Sequence, residues 1–276
     1  MLKNNTIVID LDGTLLNSEK KINDLDLKKL KEISQYNKII IASGRSYNET
    51  NNIIQKYDLK DYIVEFVVCS NGELIYNIKN GEIIKSDFIN NDLAISIIQT
   101  LEYYGMYWYV VSDGSVFCKD IKYNCKKYLE NKRYNINVIE HIEELKQMKI
   151  EKFIINNDLD IKISEIKEIL YNEYDIEFFI INRKKTYKNE TYMQNNILPK
   201  GINKYSATRF IVTELKLPKN LIAVGDGIND YDLLKNADFA ICMSNSCKEI
   251  KEISNFITKS NDSNGVSYAI EKIENF

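Results

Sequence analysis

Four short apolar runs, each ending in small or polar residues, constrain the fold of this chain more than any other feature. They are IVIDLDGT (7–14), IIIASGRS (39–46), FVVCSNG (66–72) and, much later, IAVGDGIND (222–230). Continuous β-branched runs separated by amphipathic stretches are typical of a parallel sheet that is buried on both faces. The sequence therefore predicts an α/β fold, with a doubly wound, Rossmann-like parallel-sheet core assembled from both ends of the chain.

Amphipathic stretches connect these runs and predict the helices of the core. We expect helices within NDLDLKKLKEISQY (23–36), over 52–57, and within ATRFIVTELKL (207–217), YDLLKNA (231–237) and CKEIKEISNFI (247–257), with another strand in FAICM (239–243). The pattern of strand, helix and strand thus returns near the end of the chain.

The middle of the chain has a different texture. An Asp113-Gly114 turn signal lies between aromatic and β-branched stretches in 106–120 and predicts a hairpin. Two further apolar runs, EKFIINN (151–157) and DIEFFIINR (175–183), flank a helix-like segment over 164–174. We therefore expect a core domain formed by 1–79 and 190–276, interrupted by an α+β domain over 80–189.

Composition excludes several classes of partner. The formal net charge is −3 and the charges are interspersed, so neither nucleic acid nor a membrane surface is expected as a partner. The five cysteines form no C-x-x-C pair, which favours reduced thiols. No apolar stretch reaches the roughly 20 residues of a membrane helix and no signal peptide is evident, so a cytoplasmic location is expected.

The sequence offers almost no histidine for catalysis. The one histidine, His141, lies in the polar segment IEHIEELKQ (139–147), where a surface position is expected. Acid–base chemistry would therefore fall to carboxylates, lysine or tyrosine.

The ends of the predicted parallel strands should meet at one edge of the sheet, where such sheets bind ligands. This edge would collect Asp10, Asp12 and Asp226, and a set of carboxylates without histidine or cysteine suits Mg²⁺ better than Zn²⁺. A phosphate beside carboxylates also needs donors and a cation. Ser43 and Gly44, expected to open a helix, and Lys204, at a predicted helix start, supply them.

Each segment also has an ordinary structural interpretation, as a turn or a helix N-cap, which would be preferred if the segment stood alone. A dinucleotide-binding loop fits GDGIND poorly because Asp230 stands where the third glycine should be. A calcium-binding loop fits DLDG poorly because Gly13 comes two positions early.

The segments together resemble the four motifs of the haloacid dehalogenase superfamily. They are DLDGT (10–14), SGR (43–45), the lysine of PKGINK (199–204) and GDGIND (225–230), in that order. The terminal NGV (264–266) and the insert after SNGELIY are similar to the Cof-type sugar-phosphatase branch, whose cap domain is of type IIB. The resemblance covers the whole chain, although the cap matches in size and position more than in residues.

The resemblance implies a role for each matching residue. Asp10 would be the nucleophile that forms an aspartyl-phosphate, and Asp12 the general acid and base. Lys204 would neutralise the nucleophile and the phosphate, which Ser43, Gly44 and Asn229 would also hold. The metal ligands would be Asp10, Asp12 through its carbonyl, and Asp226, with Asp230 as a ligand or orienting group.

Two further positions have less defined roles. Arg45 is interpreted as a phosphate contact, a cap contact or a surface ion pair, and Thr14 as a residue that fixes the loop. The cap would close over the site, and aromatic residues such as Trp108 would pack in its sheet or stack on substrate.

The resulting expectation is a Mg²⁺-dependent phosphatase acting on small phosphorylated metabolites. Sugar phosphates come first, then pyridoxal phosphate or flavin mononucleotide, and the protein is expected to be a monomer or a weak homodimer. A phosphohexomutase-like transferase is one alternative, disfavoured because the insert contains only Arg133 and Arg183 as arginines. A catalytically silent phospho-metabolite-binding regulatory protein is the other, disfavoured because Asp10, Asp12 and Lys204 are all present.

Overall fold

The structure is a computed structural model that describes residues 3–112, 115–120, 135–157, 166, 168–170, 172, 174, 176–179, 185–187 and 190–273. The chain divides into two compact units. The first contains Met1–Ser86 and Asn203–Phe276, and the second contains Asp87–Ile202.

The helices and strands of the first unit are as follows. The strands are β1 (Thr6–Ile9), β2 (Lys38–Ile41), β3 (Phe66–Cys69), β4 (Leu74–Asn77), β5 (Ile83–Ser86), β13 (Leu221–Gly225), β14 (Phe239–Cys242) and β15 (Phe256–Ile257). The helices are α1 (Asp24–Ile33), α2 (Tyr47–Lys56), α4 (Lys204–Glu214), α5 (Tyr231–Lys235), α6 (Lys248–Glu252) and α7 (Gly265–Ile273).

A five-stranded parallel sheet in the order β15-β14-β13-β1-β2 forms the core of this unit. One face packs on α4, α5 and α6 through residues such as Val8, Ile211 and Leu233. On the other face Ile7 and Ile9 are fully buried as well. The sheet is thus covered on both sides, and the predicted doubly wound α/β core is confirmed.

Strand β3 differs from the prediction of a purely parallel sheet. It pairs antiparallel with β4, which pairs with β5, so these strands form a three-stranded sheet. A single parallel bridge, Ala42 to Val68, links β3 to the end of β2. An apolar run fixes a strand but not the direction of its partner, and the short turn after β3 returns the chain immediately beside it.

The predicted helix over 247–257 is too long. Helix α6 ends at Glu252, and Phe256–Ile257 form the edge strand β15 beside β14. Helix α7, which packs against α1, was not predicted.

The second unit contains β6 (Tyr107–Ser112), β7 (Ser115–Cys118), β8 (Asn135–Val138), β9 (Ile150–Asn157), β10 (Ile176–Phe179), β11 (Lys185–Tyr187), β12 (Glu190–Pro199) and α3 (Asn91–Tyr103). Its sheet has the order β10-β12-β9-β6-β7-β8, and β11 pairs with β12. Helix α3 shares a buried apolar cluster with one face of this sheet, including Ile98, Trp108 and Phe153.

The predicted hairpin over 106–120 is present as the antiparallel pair β6 and β7, while the Asp113-Gly114 turn lies outside the described residues. Five of the eleven residues of the predicted helix over 164–174, and both Arg133 and Arg183, lie outside them too.

The predicted domain boundaries differ from those of the two units. Residues 190–199 were assigned to the core, but they form β12, which pairs along β9 and β10 in the second unit. Residues 80–86 were assigned to the insert, but β5 pairs with β4 in the first unit. The unit to which a segment belongs is decided by strand pairing over many residues. A change in the local sequence pattern does not reveal that pairing.

Two smaller expectations concern the surface and the thiols. His141 is exposed and precedes a 3₁₀ helix, Ile142–Gln147. Of the described cysteines, Cys69, Cys118 and Cys242 are buried, Cys247 is exposed, and none forms a disulfide. Within the described segments, every helix is too short or too polar to cross a membrane.

Candidate active site

Asp10 is placed by the register of the central strands. It follows β1, and its backbone N–H donates to the carbonyl of Val224 on β13 at 3.0 Å. Because β1 and β13 are parallel, the carboxyl ends of both strands face the same way, and Asp10 lies beside the loop that carries Asp226. In the sheet, β1 lies between β2 and β13, so the chain connections run to opposite sides of this point. Doubly wound sheets bind ligands at such a switch point.

A buried lysine joins two of the carboxylates. Lys204 is the first residue of α4, after the N-cap Asn203, and its side chain is fully buried. Its Nζ donates to Oδ1 of Asp10 at 2.5 Å and to Oδ1 of Asp230 at 2.7 Å. Burial alone would lower the pKa of Lys204, but its contacts with Asp10 and Asp230 raise it, so this residue stays cationic.

The surroundings of Asp10, the candidate nucleophile, disfavour its ionised form. Burial raises the pKa of Asp10 well above its ordinary value; Asp230 and Asp226 raise it further, and Lys204 opposes them. The residue is only 3% exposed. Additional positive charge at this position would therefore favour the ionised carboxylate.

Asp226 is fixed by two neutral donors. Thr14 Oγ1 donates to its Oδ1 at 3.1 Å, and Asn245 Nδ2 donates to its Oδ2 at 3.3 Å. The same Nδ2 donates to the carbonyl of Gly13 at 2.9 Å. Thr14 is fully buried and fixes the loop against Asp226, as its sequence interpretation anticipated.

Asp230 is held by the loop that precedes it. Its Oδ2 accepts from the backbone N–H of Asp226 at 3.1 Å and of Gly227 at 2.9 Å, while Oδ1 accepts from Lys204. These bonds orient Asp230 and through it the position of Lys204.

The donor set fits a hard divalent cation. Asp10, Asp226 and Asp230 can each offer one carboxylate oxygen, and these oxygens lie within 4.8 Å of one another. Three carboxylates face one lysine, so the cluster carries an excess negative charge of about two when all are ionised, which a divalent cation would balance. The side chain of Asp12 is not among this set.

Asp12 instead forms a separate charged cluster. Arg45 Nε and Nη2 donate to its two oxygens at 2.6 and 2.7 Å, and Lys20 Nζ donates to Oδ1 at 2.7 Å. Burial alone would raise the pKa of Asp12, but hydrogen bonds and charge from Arg45 and Lys20 lower it well below its ordinary range. Arg45 is therefore ion-paired with the proposed acid–base residue, in a partly buried position, with its side chain 14% exposed.

The predicted phosphate-binding residues lie at the ends of β2 and β13. Ser43 is fully buried, and its Oγ accepts from the backbone N–H of Arg45 at 3.1 Å. The prediction that Ser43 and Gly44 open a helix is wrong, because α2 begins at Tyr47 with Ser46 as its N-cap. Asn229 Nδ2 donates to Oδ1 of Asn71 at 2.9 Å, so this loop also contacts the turn after β3.

Lys20 and Asn245 were missed at the sequence level, and Asn71 was noted there only as a polar residue at a strand end. Asn71 and Asn245 both follow core strands, β3 and β14, so the strand-end rule that selected Asp10 and Asp226 also pointed to them. Lys20 lies in the loop before α1 and carries no such signal.

Fold and site together define a doubly wound α/β enzyme with a carboxylate and lysine centre at the switch point of its sheet. A family model described as haloacid dehalogenase-like hydrolase matches residues 7–270. The chain belongs to this family, and the resemblance carried by its four motifs is confirmed.

Relatives support the same class. A protein of Buchnera aphidicola is 31% identical over 97% of this chain and 95% of its own length. The 5-amino-6-(5-phospho-D-ribitylamino)uracil phosphatase YcsE of Bacillus subtilis is 26% identical over 96% of this chain and 93% of its own.

A solved Thermotoga maritima protein has a TM-score of 0.78 and 25% identity, covering 98% of this chain and 97% of its own. A solved HAD subclass IIB sugar phosphatase shares the fold, with a TM-score of 0.77 and 18% identity over 99% of this chain and 100% of its own. The chain is thus a phosphoric monoester hydrolase with an inserted cap domain.

Proposed function

We propose that this protein is a Mg²⁺-dependent phosphatase that hydrolyses small phosphorylated metabolites through an aspartyl-phosphate. The observation that carries the proposal is the placement of Asp10. It lies buried at the end of β1, hydrogen-bonded to Lys204 and beside two further carboxylates. Such a carboxylate can act as a nucleophile once its charge is balanced.

In the first step an oxygen of Asp10 attacks phosphorus and the bond from phosphorus to the leaving oxygen breaks. Asp12 gives a proton to that oxygen. In the second step a water attacks phosphorus, Asp12 takes its proton, and the bond to Asp10 breaks to release phosphate.

The ion pairs of Asp12 bear on both steps. With Arg45 and Lys20 beside it, Asp12 is ionised in the free enzyme, the form that can accept a proton from water. An incoming phosphate places like charge beside Asp12 and so raises its pKa toward the range in which it can carry a proton. Arg45 and Lys20 thus set the protonation state of the acid–base residue.

Asp10 and Asp226, with the carbonyl of Asp12, would hold Mg²⁺, and Asp230 would orient Lys204 and the metal loop. When bound, the metal supplies positive charge that offsets the cluster of carboxylates and the phosphate. Lys204 neutralises Asp10 and the transferring group, while Ser43, Gly44 and Asn229 hold phosphate oxygens.

Sugar or polyol phosphates are the proposed substrate class. One relative is named for a uracil that carries a 5-phospho-D-ribityl group. Pyridoxal phosphate and flavin mononucleotide are second choices, since both join a phosphate to a ring. A cytoplasmic location accords with described cysteines that form no disulfide, and a monomer or weak homodimer is proposed as the solution state.

The test is hydrolysis of p-nitrophenyl phosphate with Mg²⁺ or with EDTA, comparing wild type and Asp10→Asn. We expect turnover that needs the metal and falls by at least about a thousandfold in Asp10→Asn, because the amide is not a nucleophile. The matched control is Asp92→Asn, which removes an exposed carboxylate in the first turn of α3 and should keep wild-type activity.

A panel of sugar and cofactor phosphates then follows with the same two variants. Equal turnover by Asp10→Asn and wild type would contradict the nucleophile assignment. Absence of turnover on every phosphate by folded wild type would contradict the phosphatase itself.

A further inference from the structure

The turn after β3 has an uncommon backbone. Ser70, Asn71 and Gly72 all have positive φ angles, of 50°, 62° and 115°. Two consecutive non-glycine residues in the left-handed region are unfavourable, and such strain persists only where surrounding contacts enforce it. The turn Ser70–Gly72 is therefore held in place by its neighbours.

Those neighbours belong to the candidate active site. Asn71 N–H donates to the carbonyl of Ser43 at 3.0 Å, and Ser70 N–H donates to the carbonyl of Arg45 at 2.8 Å. On the other side, a Cβ on Gly72 would collide with the main-chain carbonyl of Asn203, the N-cap of α4. The turn is thus wedged between the loop after β2 and the residue before Lys204.

The side chain of Asn71 lies among the residues assigned to phosphate. Asn71 as a whole is 3% exposed, and its Oδ1 accepts from Asn229 Nδ2 at 2.9 Å. The same Oδ1 would lie 2.7 Å from a Cβ built on Gly44, so Asn71 also packs closely on that glycine.

The amide nitrogen of this side chain has no hydrogen-bond partner among the residues that the structure describes. Asn229 commits one of the two hydrogens of its own amide to Asn71, which leaves one hydrogen of Asn229 and both of Asn71 Nδ2 unused. These unused hydrogens belong to a largely buried residue, and a phosphate oxygen could accept from them.

We propose that Asn71 is a phosphate-binding residue, whose Nδ2 donates to a non-bridging oxygen while its Oδ1 holds the Asn229 amide. This inference rests on the proposed function and adds a donor to it from the turn after β3. A neutral amide suits the position, because a carboxylate there would repel phosphate. Asparagine also tolerates the left-handed backbone better than most residues.

The sharpest variant is Asn71→Gly, because glycine adopts the left-handed backbone without strain and removes only the side chain. We expect an unchanged or higher unfolding temperature. The KM for p-nitrophenyl phosphate and the inhibition constant of inorganic phosphate should each rise roughly tenfold to a hundredfold, the loss of one hydrogen bond to a charged group. Asn71→Asp should weaken phosphate binding further, because the carboxylate and the phosphate carry like charge.

The matched control is Asn4→Gly. Asn4 has a φ of 59° and is exposed, and it lies before the amino end of β1, opposite to the site. It makes the same exchange on the same type of backbone and should leave KM and phosphate inhibition unchanged.

Calorimetric titration of inorganic phosphate into Mg²⁺-loaded wild type and Asn71→Gly separates this inference from the proposed function. Hydrolysis by wild type with the same phosphate affinity in both proteins would overturn the role of Asn71 alone. If wild type hydrolyses nothing, a weaker affinity in Asn71→Gly still supports the inference, and equal affinities or no phosphate binding overturn it.

Discussion

Gly13 occupies a tightly restricted position in the site. Its φ is +82°, in the left-handed region, and a Cβ added to it would collide with the carboxylate of Asp226. Its carbonyl also accepts from Asn245, which in turn holds Asp226. One residue without a side chain thus permits the loop after β1 to lie against the Asp226 carboxylate.

Gly13→Ala should therefore lose activity out of proportion to stability. Strain in the left-handed region costs about 1–2 kcal/mol of stability. Displacement of Asp226 should also reduce kcat/KM at least tenfold and weaken the binding of Mg²⁺. The control is Gly105→Ala, where φ is +68° but nothing lies within 4 Å of the added Cβ. That variant should lose similar stability in thermal unfolding and keep its activity; equal activity in both would contradict the argument.

How far the sequence predicts the site can be judged residue by residue. The sheet edge was predicted correctly because parallel strands share one direction, so Asp10, Asp226 and Lys204 do come together. The ion pair of Arg45 with Asp12 was not predicted, because nothing in a sequence indicates which side-chain rotamers meet. Asn71 was noticed as a polar strand end but not as a donor, because its unused amide is visible only when its neighbours are placed.

At the scale of elements, Asp26 joins two helices that lie far apart in the chain. It is a fully buried residue of α1, and its Oδ1 accepts from the backbone N–H of Ser267 in the first turn of α7 at 2.7 Å. Burial raises the pKa of Asp26, and hydrogen bonds from Ser267 and Asn23 offset this only in part. The folded state therefore binds the proton more tightly than the unfolded state does.

This difference gives stability a definite pH dependence. The contribution of Asp26 to the free energy of unfolding is fully present below the unfolded pKa of about 3.9, and it is lost as the pH rises through the raised folded pKa. Urea unfolding across this interval should show a flatter profile in Asp26→Asn than in wild type. Asp24→Asn changes an exposed aspartate in the same helical turn and should retain the wild-type slope of stability against pH. A wild-type slope in Asp26→Asn would contradict the assignment of this pH dependence to Asp26.

Elements were predicted where periodicity was long enough to read. The strands β1, β2, β13 and β14 follow from continuous apolar runs. The two-residue strand β15 could not be separated from the helix before it, because so short a segment has no period of its own. The antiparallel pairing of β3 depends on where the next segment returns, which local sequence does not encode.

For the whole molecule, the dominant electrostatic feature is the uneven charge of the buried centre. Asp10 and Asp230 contact Lys204, and Asp226 adds a third carboxylate, to which Thr14 and Asn245 donate. The folded chain concentrates this negative charge, whereas the unfolded chain disperses it. A divalent cation should therefore stabilise the folded protein as a whole.

Mg²⁺ should raise the unfolding temperature and EDTA should reverse the rise. At a hundredfold excess over its dissociation constant, the metal would add about 2.7 kcal/mol to the free energy of unfolding. Asp226→Asn should lose this increment. Asp238→Asn should keep it, because Asp238 accepts from the backbone N–H of Leu221 at the start of β13, away from the cluster. An increment that survives in Asp226→Asn would show that Mg²⁺ binds elsewhere.

The pairing of β1 between β2 and β13 also bears on how the protein is made. Thr6 is aligned with Lys38 on one side and with Leu221 on the other, so one of the two strands that pair with β1 is synthesised long after it. Contacts of such high sequence separation fold slowly, because a long loop must close before they form. On the ribosome, Asp10 emerges long before Lys204, Asp226 and Asp230, which can reach it only after the intervening second unit has been synthesised. Nascent chains should therefore depend on chaperones to shield β1, and catalytic competence should appear abruptly rather than in stages.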